Sequence, residues 1–428
     1  MKRIIPAVLA VLLFFGCGEK EVPTPVEITF PSTAPAEPAG TPPQSACPAD
    51  ATPQPVPVKA DMEYCTVICD DAVNLRESPS AKAELTAQVP SGTRVHVIGF
   101  EGRYAKVELE ENGKTGYMIA GYLMPENSVY SASQVQPTAL YTYDAMMTDI
   151  GALTAKYADI MQVETLGISA AGKEIPVLLL GSKNAEKHVF IQASIHGREH
   201  MTSLLAMALS EAWLASGASD TVCFHVAPMV NPDGVSISQG LLDDPSLQAI
   251  YEKDVSSDRT ERNYEDYRTL WKANYHGVDL NRNFDALWEN VNTAPHISSE
   301  GYRGDAPESE PEAKALAAYT KRYPFSATVS YHCTGSLIYW QFGLNSPVDD
   351  KALTLAELIA ADAGYTVEPD DGTSFGGYKD WASSVAGIPS LTVEIGTRSA
   401  PLPEIDFYNI WVRNRNAFEI IEKWAKNA

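Results

Sequence analysis

One junction constrains this chain more than any other feature: an apolar run leads directly into residues that carry metal-ligating atoms. Residues 189–195 are apolar and β-branched, which is typical of a buried strand. Apolar residues then recur at helical spacing from Met201 to Trp213, which predicts a helix. His196 and Glu199 would therefore lie at a strand-to-helix turn, where open α/β sheets place their ligands. An imidazole and a carboxylate this close in sequence can reach one cation, and the pair suits zinc.

On its own, this pair also fits a simpler interpretation, the polar start of a helix. Four further blocks follow downstream: Asn231-Pro-Asp-Gly234, Gly277-Val-Asp-Leu-Asn281-Arg282-Asn283-Phe284, Ser330-Tyr331-His332 and Thr392-Val393-Glu394-Ile395-Gly396. In this order and at these separations, the series resembles the zinc carboxypeptidase family from about Tyr141 to the C-terminus. The resemblance implies an α/β fold in which helices flank a mixed central sheet.

The resemblance also implies one zinc ion per chain, bound by His196, Glu199 and His332, with Glu394 as the catalytic glutamate. The separation of Glu394 from Asp380 fits the family's pattern as well. The residue types suit this chemistry without the resemblance. Three protein ligands leave zinc one open position for water, which is the arrangement of a catalytic site. Zinc acidifies that water and polarises a carbonyl, while a nearby carboxylate takes the proton and passes it to the leaving amine.

Four cationic or amide side chains are candidates for contact with the substrate. Arg198 and the pair Asn281 and Arg282 match substrate-binding positions of the family. Lys272 stands where digestive members of the family have an oxyanion arginine, so the charge is kept and the bidentate fork is lost. A cation near the scissile carbonyl stabilises the developing oxyanion. A planar guanidinium beside an amide suits carboxylate recognition.

Two further departures from the digestive pattern concern the side-chain pocket. Gly372 replaces a mobile tyrosine, and Lys379 stands where an apolar or acidic residue would select apolar or basic side chains. Lys379 has an alternative interpretation as a solvated surface lysine. With the phrases around Trp271 and Trp340, these features look most like the bacterial γ-D-glutamyl-diamino-acid peptidase branch. That branch cuts the γ-D-glutamyl–meso-diaminopimelate bond of peptidoglycan stem peptides, and Lys379 would then bind the distal carboxylate of diaminopimelate.

A competing motif uses the same residues differently. From His196 to His200 the chain also matches H-x-x-E-H, in which both histidines bind metal and Glu199 is the base. That motif requires both histidines to share one face of a helix. Gly197 and the strand before it place His196 ahead of the helix, so we expect His200 to be a structural or supporting histidine.

The N-terminal residues 1–17 have the layout of a secretory signal peptide. Two basic residues precede an apolar run over residues 4–15, which is too short to span a bilayer. The run ends at Cys17 in a sequence that resembles a bacterial lipoprotein cleavage site; the alternative is an ordinary signal peptide cut elsewhere. We therefore expect an extracytoplasmic lipoprotein of the cell envelope, anchored to the membrane through lipidated Cys17.

Three segments follow the signal peptide. Residues 18–60 are rich in proline, threonine, alanine and glutamate, which predicts a disordered, extended tether. Residues 64–126 alternate in short strands typical of a small all-β barrel, and phrases such as Val73-Asn-Leu-Arg76 closely resemble the bacterial Src-homology-3-like domain. Binding of wall material and a role as a spacer both remain open for this barrel. Residues 135–428 form the predicted catalytic domain.

The formal net charge of −23 argues against nucleic acid as a partner and against electrostatic adhesion to anionic wall polymers or lipids. We expect a monomer, in which Cys65 and Cys69 would pair if both lie near a strand end. The predicted function is a zinc peptidase acting on peptidoglycan stem peptides. Two alternatives are a general metallocarboxypeptidase and an inactive wall-binding lipoprotein; the second is disfavoured because every ligand and Glu394 are present.

Overall fold

Two sheets organise the described part of the chain. This computed structural model describes residues 58–127, 130, 132–138, 140–217, 219–343, 347–369 and 374–428. The predicted signal peptide with Cys17, the predicted tether as far as residue 57, and Gly372 lie outside the described residues.

The first sheet is antiparallel throughout, as predicted for the small all-β domain, and is called the barrel below. Its strands are β1 (Tyr64–Val67), β2 (Ala72–Arg76), β3 (Leu85–Pro90), β4 (Arg94–Glu101), β5 (Tyr104–Leu109), β6 (Thr115–Ile119) and β7 (Leu123–Pro125). They lie in the order β3-β2-β6-β5-β4-β1-β7. Apolar residues such as Val73 and Leu75 alternate with polar ones, so one face of each strand fills the interior. Cys65 and Cys69 are both free thiols, so the suggested pairing is not formed.

The second sheet is mixed, which confirms the predicted fold class. Its strands are β8 (Met161–Ile168), β9 (Glu174–Leu180), β10 (Lys187–Ala193), β11 (Val222–Ala227), β12 (Phe325–Cys333), β13 (Leu337–Tyr339), β14 (Thr366–Glu368) and β15 (Ser390–Ile395). They lie in the order β14-β13-β15-β12-β10-β11-β9-β8. The central strands β15, β12, β10 and β11 are parallel, and β9 and β13 run antiparallel to their central neighbours. Parallel central strands are covered on both faces, so β10 and β11 are buried along nearly their whole length.

Helices cover both faces of this sheet. They are α1 (Tyr143–Lys156), α2 (Met201–Gly217), α3 (Pro232–Ser238), α4 (Pro245–Ser256), α5 (Tyr264–Thr269), α6 (Pro311–Arg322), α7 (Asp349–Ala363), α8 (Tyr378–Ser384), α9 (Asp406–Asn414) and α10 (Ala417–Ala425). Helix α2 is apolar on nearly every side because it packs against the sheet and against α1, α9 and α10. None of the described helices has both the length and the apolar character needed to cross a membrane.

The barrel and the catalytic sheet belong to one compact unit, and one apolar core runs through both. The packing begins at Lys59, within the segment predicted as tether, where Nζ lies 2.9 Å from Oδ2 of Asp362 in α7. Buried barrel residues such as Met118 and Leu123 share a cluster with Phe407 of α9. The barrel is therefore attached to the catalytic domain by a continuous packed surface.

Candidate active site

Three neighbouring parallel strands bring the predicted metal ligands and Glu394 together. Strands β15, β12 and β10 are adjacent, so their carboxyl ends lie side by side. His332 and Glu394 are direct register partners on β12 and β15. His196 follows β10 and precedes a short 3-10 turn over Gly197–Glu199, after which α2 begins. The site thus lies at the carboxyl edge of the sheet, as the sequence predicted.

The turn that carries His196 is held by close backbone packing and by one buried amide. Asn231 donates hydrogen bonds to the carbonyl oxygens of Ile195, at 3.1 Å, and Ala273, at 2.9 Å. It thereby joins the segment before His196 to the segment after Lys272. A Cβ atom at Gly197 would lie 2.3 Å from the Gly234 carbonyl oxygen, so only glycine allows this approach.

His196, Glu199 and His332 form a buried cluster whose ligand atoms lie within 4.8 Å of one another. Nδ1 of His196 lies 2.8 Å from Oε1 of Glu199, and Nδ1 of His332 lies 3.1 Å from Oε2. Burial alone would raise the pKa of Glu199, but the charges and hydrogen bonds of the two imidazoles outweigh it and hold that pKa well below its ordinary value. The carboxylate is therefore ionised and ready to act as a ligand.

Asp279 supports this cluster and was given no role from the sequence. Its Oδ1 lies 3.3 Å from Nε2 of His196, on the opposite side of the ring from Glu199. Burial would raise the pKa of Asp279, but Lys272, His196 and Arg282 together lower it well below its ordinary value. A carboxylate behind a ligating imidazole fixes the ring orientation and increases its basicity. In the sequence, what points to Asp279 is its position in the block that also contains Asn281 and Arg282.

Glu394 lies beside the cluster and is half-buried. Burial raises the pKa of its carboxyl to about 7; His332 and Lys272 oppose the increase, and Glu199 adds to it. Its Oε2 is enclosed and has no hydrogen-bond partner among the described residues. A bound divalent cation would lower this pKa by adding positive charge nearby. The carboxyl group is therefore well suited to exchange a proton with a water molecule in the cavity.

All the predicted site residues line a single cavity of about 380 Å³: His196, Arg198, Glu199, Lys272, Asn281, Arg282, His332, Lys379 and Glu394. Residues without a predicted role also line it, among them Thr334, Tyr339, Ser374 and Thr392. Thr392 begins the block that contains Glu394, but none of these side chains could be given a role from the sequence, because small polar residues and tyrosines are common at strand ends and in loops.

Most of the charged side chains in the cavity wall outside the metal cluster are cations. Lys272 and Arg282 are half-buried, and neither forms an ion pair within 4.0 Å with an acidic residue in the part of the chain that the structure describes. Arg198 differs, since its guanidinium donates to the Leu270 carbonyl oxygen at 3.2 Å and lies 3.3 Å from Glu300. The wall can therefore accept anionic groups of a ligand at Lys272 and Arg282.

Asn281 contributes an oriented amide next to these cations. Its Oδ1 accepts a hydrogen bond of 2.9 Å from the backbone N–H of Tyr378, at the start of α8. This bond fixes the carboxamide. The Arg282 guanidinium donates to the backbone carbonyl oxygen of Asn281 at 2.7 Å, and both residues line the cavity. A guanidinium and an amide held next to each other suit a carboxylate.

Lys379 is buried, so its interpretation as a solvated surface lysine is wrong. Its Nζ lies 2.6 Å from Oδ1 of Asp380 and donates to the Gln341 carbonyl oxygen at 2.6 Å. The same ammonium lies 5.5 Å from the centre of the Phe342 ring. Asp380 also lines the cavity, so the wall carries a buried pair of opposite charges.

Three further buried histidines, His188, His200 and His225, lie outside the cluster around Glu199. His200 is buried, and burial lowers its pKa to about 4, but it does not belong to the cluster around Glu199, which counts against the inverted motif. His188, Cys223 and His225 form a second buried cluster. There the imidazoles bond to each other at 2.9 Å and His225 bonds to Tyr319 at 2.7 Å, within a shell of aromatic rings. These bonds engage both ring nitrogens of His225 and Nδ1 of His188 without an ion.

The fold and this cavity together define a metal-dependent hydrolase. A sequence profile of the zinc carboxypeptidase family matches residues 146–417, and one of the bacterial SH3 domain matches residues 71–124. The chain therefore belongs to the zinc carboxypeptidase family and is a zinc metallopeptidase. Two imidazoles and one carboxylate are a donor set that suits the zinc implied by the family.

Individual relatives agree with this assignment. The gamma-D-glutamyl-L-diamino acid endopeptidase 1 of Lysinibacillus sphaericus is 32% identical over 287 residues, covering 63% of this chain and 69% of that protein. Carboxypeptidase B of Astacus astacus is 25% identical over 291 residues, covering 62% of this chain and 90% of that protein. The crystal structure of carboxypeptidase A from Helicoverpa armigera has a TM-score of 0.53 at 20% identity, covering 71% of this chain and 77% of that chain.

Proposed function

We propose that this peptidase hydrolyses peptidoglycan stem peptides at the γ-D-glutamyl–meso-diaminopimelate bond. The observation that carries the proposal is the buried Lys379–Asp380 pair in the wall of the cavity. The side chain of meso-diaminopimelate ends in both an amine and a carboxylate. Lys379 would bind that carboxylate and Asp380 that amine, so both charges of the pair would be satisfied by the ligand. The name of the Lysinibacillus relative, which specifies a γ-D-glutamyl-diamino acid bond, supports the same substrate class.

The α-carboxylate end of the diamino acid would be held by Asn281 and Arg282. These two side chains lie next to each other in the cavity wall, and Arg282 lacks an acidic partner among the described residues. Fixing one end of the substrate here and its side chain at Lys379 defines which amide bond lies beside the metal cluster. Such fixing of reacting groups reduces the entropic part of the barrier.

His196, Glu199 and His332 would hold the zinc ion, and Asp279 would orient His196. When bound, zinc supplies Lewis acidity, which polarises a carbonyl and acidifies water. The Glu394 carboxylate takes a proton from the attacking water and later passes it to the leaving amine. Glu394 would lie close to the bound zinc ion, because it is the register partner of the ligand His332 on the adjacent strand.

Lys272 would stabilise the negative charge that develops on the carbonyl oxygen. Lys272 lines the same cavity as Glu394 and the metal cluster, where a fixed positive charge favours a developing oxyanion. Arg198 lines the same cavity and would assist at its mouth, although Leu270 and Glu300 already engage its guanidinium.

We also propose that the protein acts outside the cytoplasmic membrane, anchored through lipidated Cys17. The support for this proposal is the signal-peptide pattern of residues 1–17. Metabolic labelling with a radioactive fatty acid should mark the full-length protein and should fail to mark a Cys17→Ala variant.

Defined muropeptides test the substrate. The purified protein should release meso-diaminopimelate or its D-Ala extension from L-Ala-γ-D-Glu-meso-diaminopimelate peptides, as identified by mass spectrometry. An ordinary peptide with a free C-terminus serves as the comparison substrate. Faster trimming of that peptide than of any muropeptide would establish the general carboxypeptidase alternative. No hydrolysis of either substrate by zinc-loaded protein would support the inactive wall-binding alternative.

A further inference from the structure

The segment that follows Glu394 is held in place by the barrel. Arg103, at the turn between β4 and β5, donates a hydrogen bond of 3.1 Å to the Thr397 carbonyl oxygen. In the other direction, Arg398 donates at 2.8 Å to the carbonyl oxygen of Ile68 in the barrel, and its guanidinium lies 4.5 Å from the Tyr122 ring centre. Hydrogen bonds thus run in both directions between the barrel and the residues immediately after β15, from Arg103 to Thr397 and from Arg398 to Ile68.

The backbone of the barrel approaches this segment very closely. A Cβ atom at Gly121 would lie 1.9 Å from Oγ1 of Thr397, so even alanine would have to displace that threonine. Thr397 itself is only 6% exposed and has little space to move. The position of the segment therefore depends on the shape of the barrel surface.

A buried arginine extends the connection to the other wall of the cavity. Arg413 of α9 is 3% exposed, and it donates to the Gly102 carbonyl oxygen of the barrel at 3.0 Å and to Oγ of Ser336 at 3.1 Å. Ser336 in turn donates to the Gly396 carbonyl oxygen at 3.2 Å. Ser336 lies two residues beyond Thr334, which lines the cavity. The contacts thus reach both chain segments that border Glu394.

Residues 133–135, which lie between the barrel and the catalytic domain, are bonded to α2. The buried carboxylate of Glu211 in α2 accepts hydrogen bonds from the backbone N–H groups of Ser133, Gln134 and Val135, at 3.1, 3.1 and 2.8 Å. A flexible linker between independent modules would lack such bonds. This described part of the connection is therefore bound to the catalytic domain through a buried carboxylate.

We infer that the barrel is a positioning element of the active site, which holds the segment 396–398 and thereby sets the placement of Glu394. Neither wall binding nor simple spacing requires these contacts. Turnover of small soluble substrates therefore depends on the barrel, although the barrel touches no substrate atom in this role. The inference is independent of the proposed stem-peptide function, because it concerns Glu394 and holds for whichever soluble peptide the enzyme cleaves.

The test uses full-length variants and the soluble peptide that the wild type cleaves best. Arg103→Ala and Gly121→Ala should each lower kcat about twofold to tenfold, the range expected for losing one hydrogen bond, with KM nearly unchanged. Arg103→Lys should recover most of kcat because lysine can also donate to the Thr397 carbonyl. In the Gly121→Ala background, Thr397→Ala should recover part of it because Oγ1, the clashing atom, is gone.

Arg94→Ala is the matched control. This exposed barrel arginine bonds to Glu110 and Glu126 within or beside the barrel, away from the segment after Glu394. The kcat of the Arg94→Ala variant should equal that of the wild type. Zinc content and the fraction folded should be measured for every variant. Unchanged kcat in folded Arg103→Ala and Gly121→Ala proteins would overturn the inference, as would an equal decrease in the Arg94→Ala control.

Discussion

Replacing Lys379 with methionine is the most informative test of how this cavity selects its substrate. Nζ of Lys379 lies 2.6 Å from Oδ1 of Asp380, and the two side chains are 10% and 8% exposed. A charge-assisted bond between Nζ and a substrate carboxylate in such a desolvated site contributes about 1.5–3 kcal/mol. That corresponds to roughly tenfold to a hundredfold in kcat/KM. Lys379→Met should therefore remove most of the preference for a diaminopimelate peptide over the matching lysine peptide, which lacks the distal carboxylate.

The same substitution has a second effect that must be separated from the first. Without Lys379, the Asp380 carboxylate loses its cation in a nearly buried position, which should lower the free energy of unfolding by about 3 kcal/mol. The double variant Lys379→Met with Asp380→Asn removes both charges and should recover most of that stability. Asparagine also keeps an oxygen for the Gly377 N–H, which lies 3.3 Å from Oδ2 of Asp380. Neither variant should regain the diaminopimelate preference.

The assay is competition between two muropeptides that differ only in the third residue, diaminopimelate or lysine, with products counted by mass spectrometry. Chemical denaturation of the same proteins gives the stabilities. Turnover of the lysine peptide should not fall in Lys379→Met, because Asp380 still accepts the amine. A variant that keeps the wild-type preference would refute the assignment of the distal carboxylate to Lys379. Because the competition reports a ratio of two kcat/KM values, a smaller folded fraction does not by itself change the measured preference.

Four other substitutions test the remaining roles. His196→Ala and His332→Ala should each lose the zinc found by elemental analysis in wild-type protein, and full retention by both would contradict the ligand assignment. Glu394→Gln should keep its zinc but lose about a hundredfold or more in kcat, whereas near-normal turnover would mean that another group moves the proton. Asp279→Ala should weaken zinc affinity roughly tenfold to a hundredfold through loss of its contact with His196, and unchanged affinity in a chelator competition would remove it from the site.

Most of the metal site was predictable, but for two different reasons. The apolar run before His196 placed His196 and Glu199 at a strand-to-helix turn. His332 and Glu394 were predicted from the resemblance to the zinc carboxypeptidase family, and the structure places them side by side on β12 and β15. Asp279 lies in the same block as Asn281 and Arg282, but its role could not be predicted, since it depends on a 3.3 Å approach to His196 that no spacing reveals. In a sequence, an aspartate that orients a metal-binding histidine cannot be distinguished from an aspartate on the surface.

The environment of Lys379 and the contacts of the barrel could not be predicted, because both depend on residues far apart in the chain. Sequence placed Lys379 at the pocket position, but Gln341 and Phe342, which help to bury it, come from the segment after β13. Arg103 and Thr397 are 294 positions apart. Local periodicity describes the elements on each side of such a contact and contains no information about their docking.

The whole chain is strongly negative, whereas the cavity wall presents the cations Lys272 and Arg282. This difference determines where substrate selection takes place. A net charge of −23 repels an anionic stem peptide at a distance. At physiological ionic strength that repulsion is screened beyond about 8 Å. Lys272 and Arg282 are half-buried in the cavity wall, where screening by salt is weaker, so their attraction acts only on a peptide that has already entered. Selection must therefore rest on individual atom pairs inside the cavity, such as Nζ of Lys379 with a carboxylate, and an acidic enzyme needs no basic surface to act on an anionic substrate.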